Sequence, residues 1–387
     1  MNKELLKRKW AVAMWDYSWA VRRQGRENEY ANWDKILDEL CERGYNCVRI
    51  DAFPHLIGRK EKSDFGKFSI LPERKNFMWG CHSETEIEPA IALVQFIEKA
   101  KKRNIYIGLS SWFIDDRLHC KYDMRHPSDF SRSWLAVLDL LKGANLLSHV
   151  LWVDLCNEFP FGFWSPSAFE EIFQKKFKLG KLGLIRHGMT FKAAWGKKRF
   201  EKMREYYVKS IGDLKAKYPE LNYTFSTTSL IEEKMDRLDL SNFDLIEPHV
   251  WITDNPYWSL RTGQIVPLLE FDGGVQFHYN RVKKLYPQKM DWFKRVLRKR
   301  IAVFSKLSRA KNLPLITTEG WGPTNYLDLP DQRAWDWVKD ISEAGVLMSK
   351  EAGWTGICTN NFCQPHFRGI WSDVAWHQKL TKHILMA

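Results

Sequence analysis

Two glutamates in this chain each end an apolar run. Glu158 stands in His149-Val-Leu-Trp-Val-Asp-Leu-Cys-Asn-Glu158-Phe-Pro, and Glu319 in Leu313-Pro-Leu-Ile-Thr-Thr-Glu319-Gly-Trp-Gly-Pro. A short run of Val, Leu, Ile and Thr closed by Gly or Pro predicts a buried strand. A carboxylate at the exit of such a strand loses hydration and must find partners. Two of them on different strands can converge on one sugar-sized site. One would donate a proton and the other attack carbon, the arrangement that cleavage of a glycosidic bond uses. Glu247, inside a later run, and Glu270, after Pro267-Leu-Leu, are rivals for the attacking role.

Such side chains need elements to position them. Strands are expected at 10–15, 46–51, 105–110, 150–156, 223–228, 243–251, 315–318 and 354–359. Helical patterns fall between them at 32–43, 84–103, 130–142, 168–217 (broken near 180–188), 231–238, 289–309 and 332–349, and a last one closes the chain at 374–385. Eight strands alternating with helices predict an α/β fold, a single (β/α)₈ TIM barrel over residues 1–387, with catalytic groups at the C-terminal strand ends. An open doubly wound sheet would have fewer strands and a glycine-rich turn after the first. Met14-Trp-Asp-Tyr-Ser-Trp has no glycine there. The sequence holds no G-x-G-x-x-G, P-loop, G-x-S-x-G or H-E-x-x-H, and no cofactor is expected. The long segments 53–83, 159 onward and 252–288 follow strands two, four and six, and are expected to wall a cleft on the catalytic face.

Of the 387 residues, 44% are hydrophobic and 28% charged, as in soluble globular proteins. No run of eighteen apolar residues would span a membrane. The charged start, Met-Asn-Lys-Glu-Leu-Leu-Lys-Arg-Lys-Trp, has no apolar segment behind it and does not read as a secretory signal. None of the seven cysteines forms a Cys-x-x-Cys pair, and Cys47, Cys156 and Cys358 lie inside apolar runs. Reduced thiols and a cytoplasmic setting are expected. A net charge of +13 raises nucleic acid as a partner. The basic residues, however, are spread over helical patterns (Lys175 to Lys181, Lys283-Lys284, Arg295 to Arg300), which predicts solvated helix faces and no nucleic-acid site. His119, Cys120 and His126 do not fit a zinc spacing, and no metal is expected.

The pattern resembles the clan of retaining glycoside hydrolases built on a (β/α)₈ barrel, most closely the cellulase-like family 5. Four short motifs carry the resemblance: Asn157-Glu158 after the fourth strand, Glu319 after the seventh, Asn46-Cys-Val-Arg49 on the second and His249-Val-Trp251 on the sixth. It implies that Glu158 is the acid/base, Glu319 the nucleophile and Arg49 the partner of the nucleophile. It departs from the family at Trp251, where the pattern has Tyr, at Ser110-Ser-Trp112, where it has His, and at the eighth strand, where no sugar-stacking Trp is evident.

That chemistry requires Glu158 to be neutral at rest, through burial and the nearby Glu319, and Glu319 to be ionised, through Arg49 and further donors. Asn157 would donate to the sugar 2-hydroxyl. Asp51, His55, Trp112, His249, Trp251 and Trp321 are the candidates for substrate contact or support. The expected partner is a carbohydrate, with no nucleic acid and no membrane, and the oligomeric state is left open. A retaining β-glycosidase acting on short oligosaccharides is the first reading. An endo-acting β-glucanase or mannanase with an open cleft, and a catalytically silent carbohydrate-binding barrel, are the alternatives.

Overall fold

Each of the eight expected strands forms, and they pair in chain order around a parallel barrel. The computed structural model describes residues 2–59, 66–75, 77–176, 195–264, 266, 273–324, 326 and 332–386. The strands are β1 (Trp10–Met14), β2 (Cys47–Asp51), β3 (Tyr106–Ser110), β4 (Val150–Asp154), β5 (Tyr223–Thr224, resuming at Thr227–Thr228), β6 (Pro248–Trp251), β7 (Ile316–Thr317, resuming at Gly320–Trp321) and β8 (Gly356–Cys358). A seven-stranded sheet runs β7-β8-β1-β2-β3-β4-β5, and a second sheet joins β5, β6 and β7. Trp10 pairs with Gly356, Thr227 with Pro248 and Gly320 with Val250, which closes the circuit.

Strand periodicity divides each strand between two cores. Ala11, Ala13, Val48 and Ile50 pack with the helix layer, whereas Trp10, Val12, Cys47, Leu151, Trp152, Leu245 and Ile316 form a separate apolar floor inside the barrel. Two residues further along the inward face come Arg49, Asp154 and Glu247, all fully buried. The interior therefore passes from apolar to charged along the strand direction. Gly108 on β3 leaves room for this floor, since a Cβ there would lie 2.2 Å from the Trp152 indole. Gly108→Ala is expected to cost about 1–3 kcal/mol by overpacking. The check is the urea midpoint, and an unchanged midpoint would mean that the indole can shift.

Three features differ from the sequence expectation. The segment after β2 carries an antiparallel pair, Phe68–Ile70 with Thr85–Ile87. The helix before β7 begins at Gly274, well before the expected 289, and runs to Lys311 through Pro287. A proline removes one helical hydrogen bond, but His278, Val282, Leu285 and Tyr286 are buried just before it and hold the helix to the barrel. Finally, β5 and β7 are broken at residues 225–226 and 318–319. The expected helix at 168–217 appears as Pro166–Phe173 and Lys197–Lys217, and its break near 180–188 lies outside the described residues.

Lys283, Lys284, Arg295, Arg298 and Lys299 are exposed on the long helix. All seven cysteines are free thiols, with Cys41 exposed and the others buried. No described helix is long and apolar enough to cross a membrane.

Candidate active site

Arg49 is the hub of the charged layer. Its Nη1 donates to Glu319 Oε1 at 3.0 Å. Its Nη2 donates to Asp154 Oδ2 and Asn157 Oδ1, each at 2.7 Å, and to Ser110 Oγ at 2.9 Å. Its Nε lies 2.9 Å from Glu247 Oε1, an ion pair whose angle falls short of a hydrogen bond. The Trp112 ring covers the guanidinium at 4.4 Å, a cation–π contact that also keeps water off the charge. Burial opposes that charge, but Glu247, Asp154 and Glu319 outweigh it and hold Arg49 above its ordinary pKa. Burial, helped by Glu247, pushes Asp154 above the usual carboxylate range, while Arg49 pulls the other way. Glu247 accepts from Trp152 Nε1 at 2.8 Å and from Thr318 Oγ1 at 2.7 Å. Burial resists its ionisation too, yet Arg49, His249 and Thr318 keep it below the carboxylate range.

The two strand breaks and one backbone twist aim the remaining groups. Ser226, in the break of β5, donates its N–H to Asp154 Oδ1 at 2.7 Å and accepts the Glu158 N–H at 2.9 Å through its hydroxyl. Glu158 has left-handed backbone, φ 49°, which costs a non-glycine residue about 1–2 kcal/mol. The Ser226 bond, and that of Asn157 N–H to Ser111 O at 2.8 Å, hold the turn. Thr318 and Glu319 form the break of β7, so Thr318 faces Glu247 while Glu319 reaches Arg49.

His249 joins the two glutamates. Its Nδ1 is 3.2 Å from Glu158 Oε1 and 3.5 Å from Glu319 Oε2. Its Nε2 is 3.3 Å from Thr318 Oγ1 and 4.0 Å from Glu247 Oε1. Burial disfavours an imidazolium, but Glu319, with Glu158 and Glu247, prevails and raises the His249 pKa to about 10. For Glu319, burial works against the ionisation that the sequence reading expects. Burial pushes its carboxyl up to about 7, against the pull of His249 and Arg49 and with the help of Glu158. One donor atom each of Glu158, His249 and Glu319 lie within 4.8 Å of one another. Among the described residues these three alone come close enough to share an ion. The hydrogen-bond distances from His249 Nδ1 to Glu158 and from Nε2 to Thr318 also suit the cluster to sharing protons.

The other candidates go to different places. Asp51 accepts from the N–H groups of Phe53 and Trp112, at 2.6 and 2.8 Å, and ties the exits of β2 and β3 together; burial raises its pKa to about 7. His55 lies 3.0 Å from Ile114 O through Nε2, edge-on to Phe113, and burial lowers its pKa to about 4. Trp321 is turned to the outer helix layer: its Nε1 donates to Cys358 O, and a Cβ on Gly345 of the helix Asp336–Glu351 would strike its ring at 2.3 Å. Trp251, at the exit of β6, is buried, and its Nε1 has no partner among the described residues. Glu270 lies outside the described residues. His119 pairs with Asp115, His126 with Glu171, and Cys120 lies against Asp116, so those three do not converge. Asp154, Ser226 and Thr318 are contacts that the sequence reading did not single out. The available signal was an acid two residues after an inward tryptophan, Trp152-Val-Asp154, in a run otherwise apolar.

The comparisons agree with this geometry at the level of family. The profile of the cellulase-like family, described as sugar-binding cellulase-like, matches residues 12–385. A Parabacteroides distasonis protein, provisionally assigned as a glycoside hydrolase, is 30% identical with a TM-score of 0.83, over 97% of this chain and 93% of its own. PbGH5A of Prevotella bryantii, a glycoside hydrolase family 5 enzyme solved with a xyloglucan tetradecasaccharide, is 10% identical with a TM-score of 0.54, over 98% of each chain. The exo-β-1,4-mannosidase Op5Man5 of Opitutaceae bacterium strain TAV5 is 12% identical with a TM-score of 0.51, over 97% of this chain and 60% of its own. The latter two share the fold alone. No curated protein matches the chain. With nearly its whole length matched, and with a barrel shared with glycoside hydrolases of family 5, this chain belongs to the cellulase-like family.

Proposed function

We propose that the protein is a retaining β-glycosidase in which Glu319 is the nucleophile and Glu158 the acid/base. The observation that carries this reading is the approach of the two glutamates to within 4.8 Å of each other, with His249 between them. Retaining enzymes keep their carboxyls about 5–5.5 Å apart, and inverting ones about 6.5–9.5 Å to admit a water. In the first step a Glu319 oxygen bonds to the anomeric carbon, the glycosidic C–O bond breaks, and Glu158 gives its proton to the leaving oxygen. In the second, Glu158 takes a proton from water, the water oxygen bonds to that carbon, and Glu319 leaves as carboxylate. Arg49 takes Asn157 Oδ1, so the Asn157 amide is free to donate to the sugar 2-hydroxyl.

The Glu158 and Glu319 side chains are only 15% and 10% exposed. Such enclosure favours glycosides and short oligosaccharides over a polymer threaded through an open cleft. The test is a panel of aryl β-glycosides (gluco, galacto, manno, xylo, fuco) and short β-linked oligomers, with the anomer first formed read by NMR. A β product is expected, and an α product would exclude the double displacement.

The pH profile carries a second expectation. Glu319 attacks only as the carboxylate, so kcat/KM falls as the pH drops through about 7. An acid limb near the ordinary glutamate value of about 4.3 would mean that Arg49, rather than burial, sets this group.

A further inference from the structure

Glu247 has no step in that reaction. It is fully buried immediately before β6, two residues before His249. Its carboxylate is engaged from several sides: Trp152 and Thr318 donate to it, Arg49 Nε stands 2.9 Å away and His249 Nε2 4.0 Å away. Arg49 and His249 are also the groups that touch the glutamate pair, Arg49 at Glu319 and His249 at both. Resting on the glycosidase reading for the roles of Glu158 and Glu319, we infer that Glu247 is a positioning residue. Its carboxylate stays off the sugar and, by neutralising Arg49 and His249 together, sets the charge they present to the glutamates.

The charged and titratable groups that face Glu247 are Arg49 and the Cys47 thiol from β2, Asp154 from β4, and His249 from β6. Glu319, in the break of β7, is reached through Arg49 and His249. If Glu247 becomes neutral, Arg49 keeps more of its field for Glu319, so the Glu319 carboxylate is easier to form. The same change removes an anion from His249, so the imidazolium is easier to lose. The two groups thus shift in the same direction, both to lower pH. A residue that only filled space would move neither.

The experiment is Glu247→Gln in the full chain, with two readouts. The acid limb of kcat/KM should move down by about one pH unit, a tenfold gain relative to wild type below the limb. The ¹⁵N signals of His249 should titrate at lower pH than in wild type. Trp152→Phe is the packing comparison: it removes a donor to Glu247 but keeps the charge, so it should lower stability and leave the limb in place. Coincident limbs and coincident His249 titrations in wild type and Glu247→Gln would overturn the inference. So would a neutral His249 at pH 7 in the wild type, which decides the matter even if the variant does not fold. Should the wild type cleave no glycoside, the glycosidase reading fails on its own, and the histidine titration still reports on Glu247.

Discussion

Glu319→Ala is expected to lower kcat by about four orders of magnitude or more, the scale on which loss of an attacking group is felt. The fold should survive, because Arg49 keeps Asp154, Glu247 and Asn157 as partners. Added azide then discriminates between the glutamates. In Glu319→Ala, azide enters from the vacated face, the C–O bond to the leaving group breaks, and an α-glycosyl azide forms from a β-glycoside. In Glu158→Ala the glycosyl-enzyme still forms on Glu319 from an activated substrate, and azide displaces it to give the β-glycosyl azide. Opposite anomers from the two variants assign the two roles. Near-normal turnover in Glu319→Ala, or exchanged anomers, would remove the assignment. The second outcome would bring the two glutamates back with their roles swapped.

Arg49→Ala is expected to cost stability on a scale unusual for an active-site residue. Removing it leaves Asp154, Glu247 and Glu319 with no guanidinium, in a layer where Asp154 and Glu247 are fully buried. Breaking a buried ion pair by deleting one partner costs about 3–5 kcal/mol, and here one deletion affects three pairs. Part of the loss returns if the carboxyls take up protons, so the deficit should shrink as the pH is lowered. Urea midpoints of wild type and Arg49→Ala at two pH values are the measurement. Arg49→Lys should fall between them, because one ammonium cannot fork to four acceptors spread over three strands and their exits. A variant as stable as wild type would mean that the buried acids are neutral in the folded protein and that the hub is dispensable to folding.

How much of this was legible in the sequence depended on what each signal measures. Strand positions were, because parallel barrel strands buried on both sides read as apolar runs, and Val150–Asp154 or Cys47–Asp51 needed little more. Glu158, Glu319 and Arg49 were visible as charges where such runs end or are interrupted. The pairing of Arg49 with Asp154 and Glu247 was not, because the sequence carries no distance across a barrel. Glu247 therefore read as a rival nucleophile, whereas it is a counter-ion. The opposition between burial and Arg49 at Glu319 was not legible for a related reason: an Arg partner is evident from residue types, but the burial that works against it exists only once the top of the barrel is assembled. Trp321 was a candidate for substrate contact by its position after a strand. The turn of its indole toward Gly345 follows from local backbone geometry that residue types do not encode.

The separation of Arg49 from Glu319 along the chain, 270 residues, has a consequence for how the protein is made. At about 5–20 residues per second, a ribosome that has placed the arginine needs roughly 15–50 s more to supply its last carboxylate. Through that interval β2 has no completed barrel to enter, and the floor residues Val12, Cys47, Leu151 and Trp152 wait for Leu245 and Ile316. The nascent chain thus spends most of its synthesis with open strand edges, the form most exposed to mispairing. Slow elongation over the last third of the message would prolong that exposure, and a chaperone that shields strand edges would matter most there.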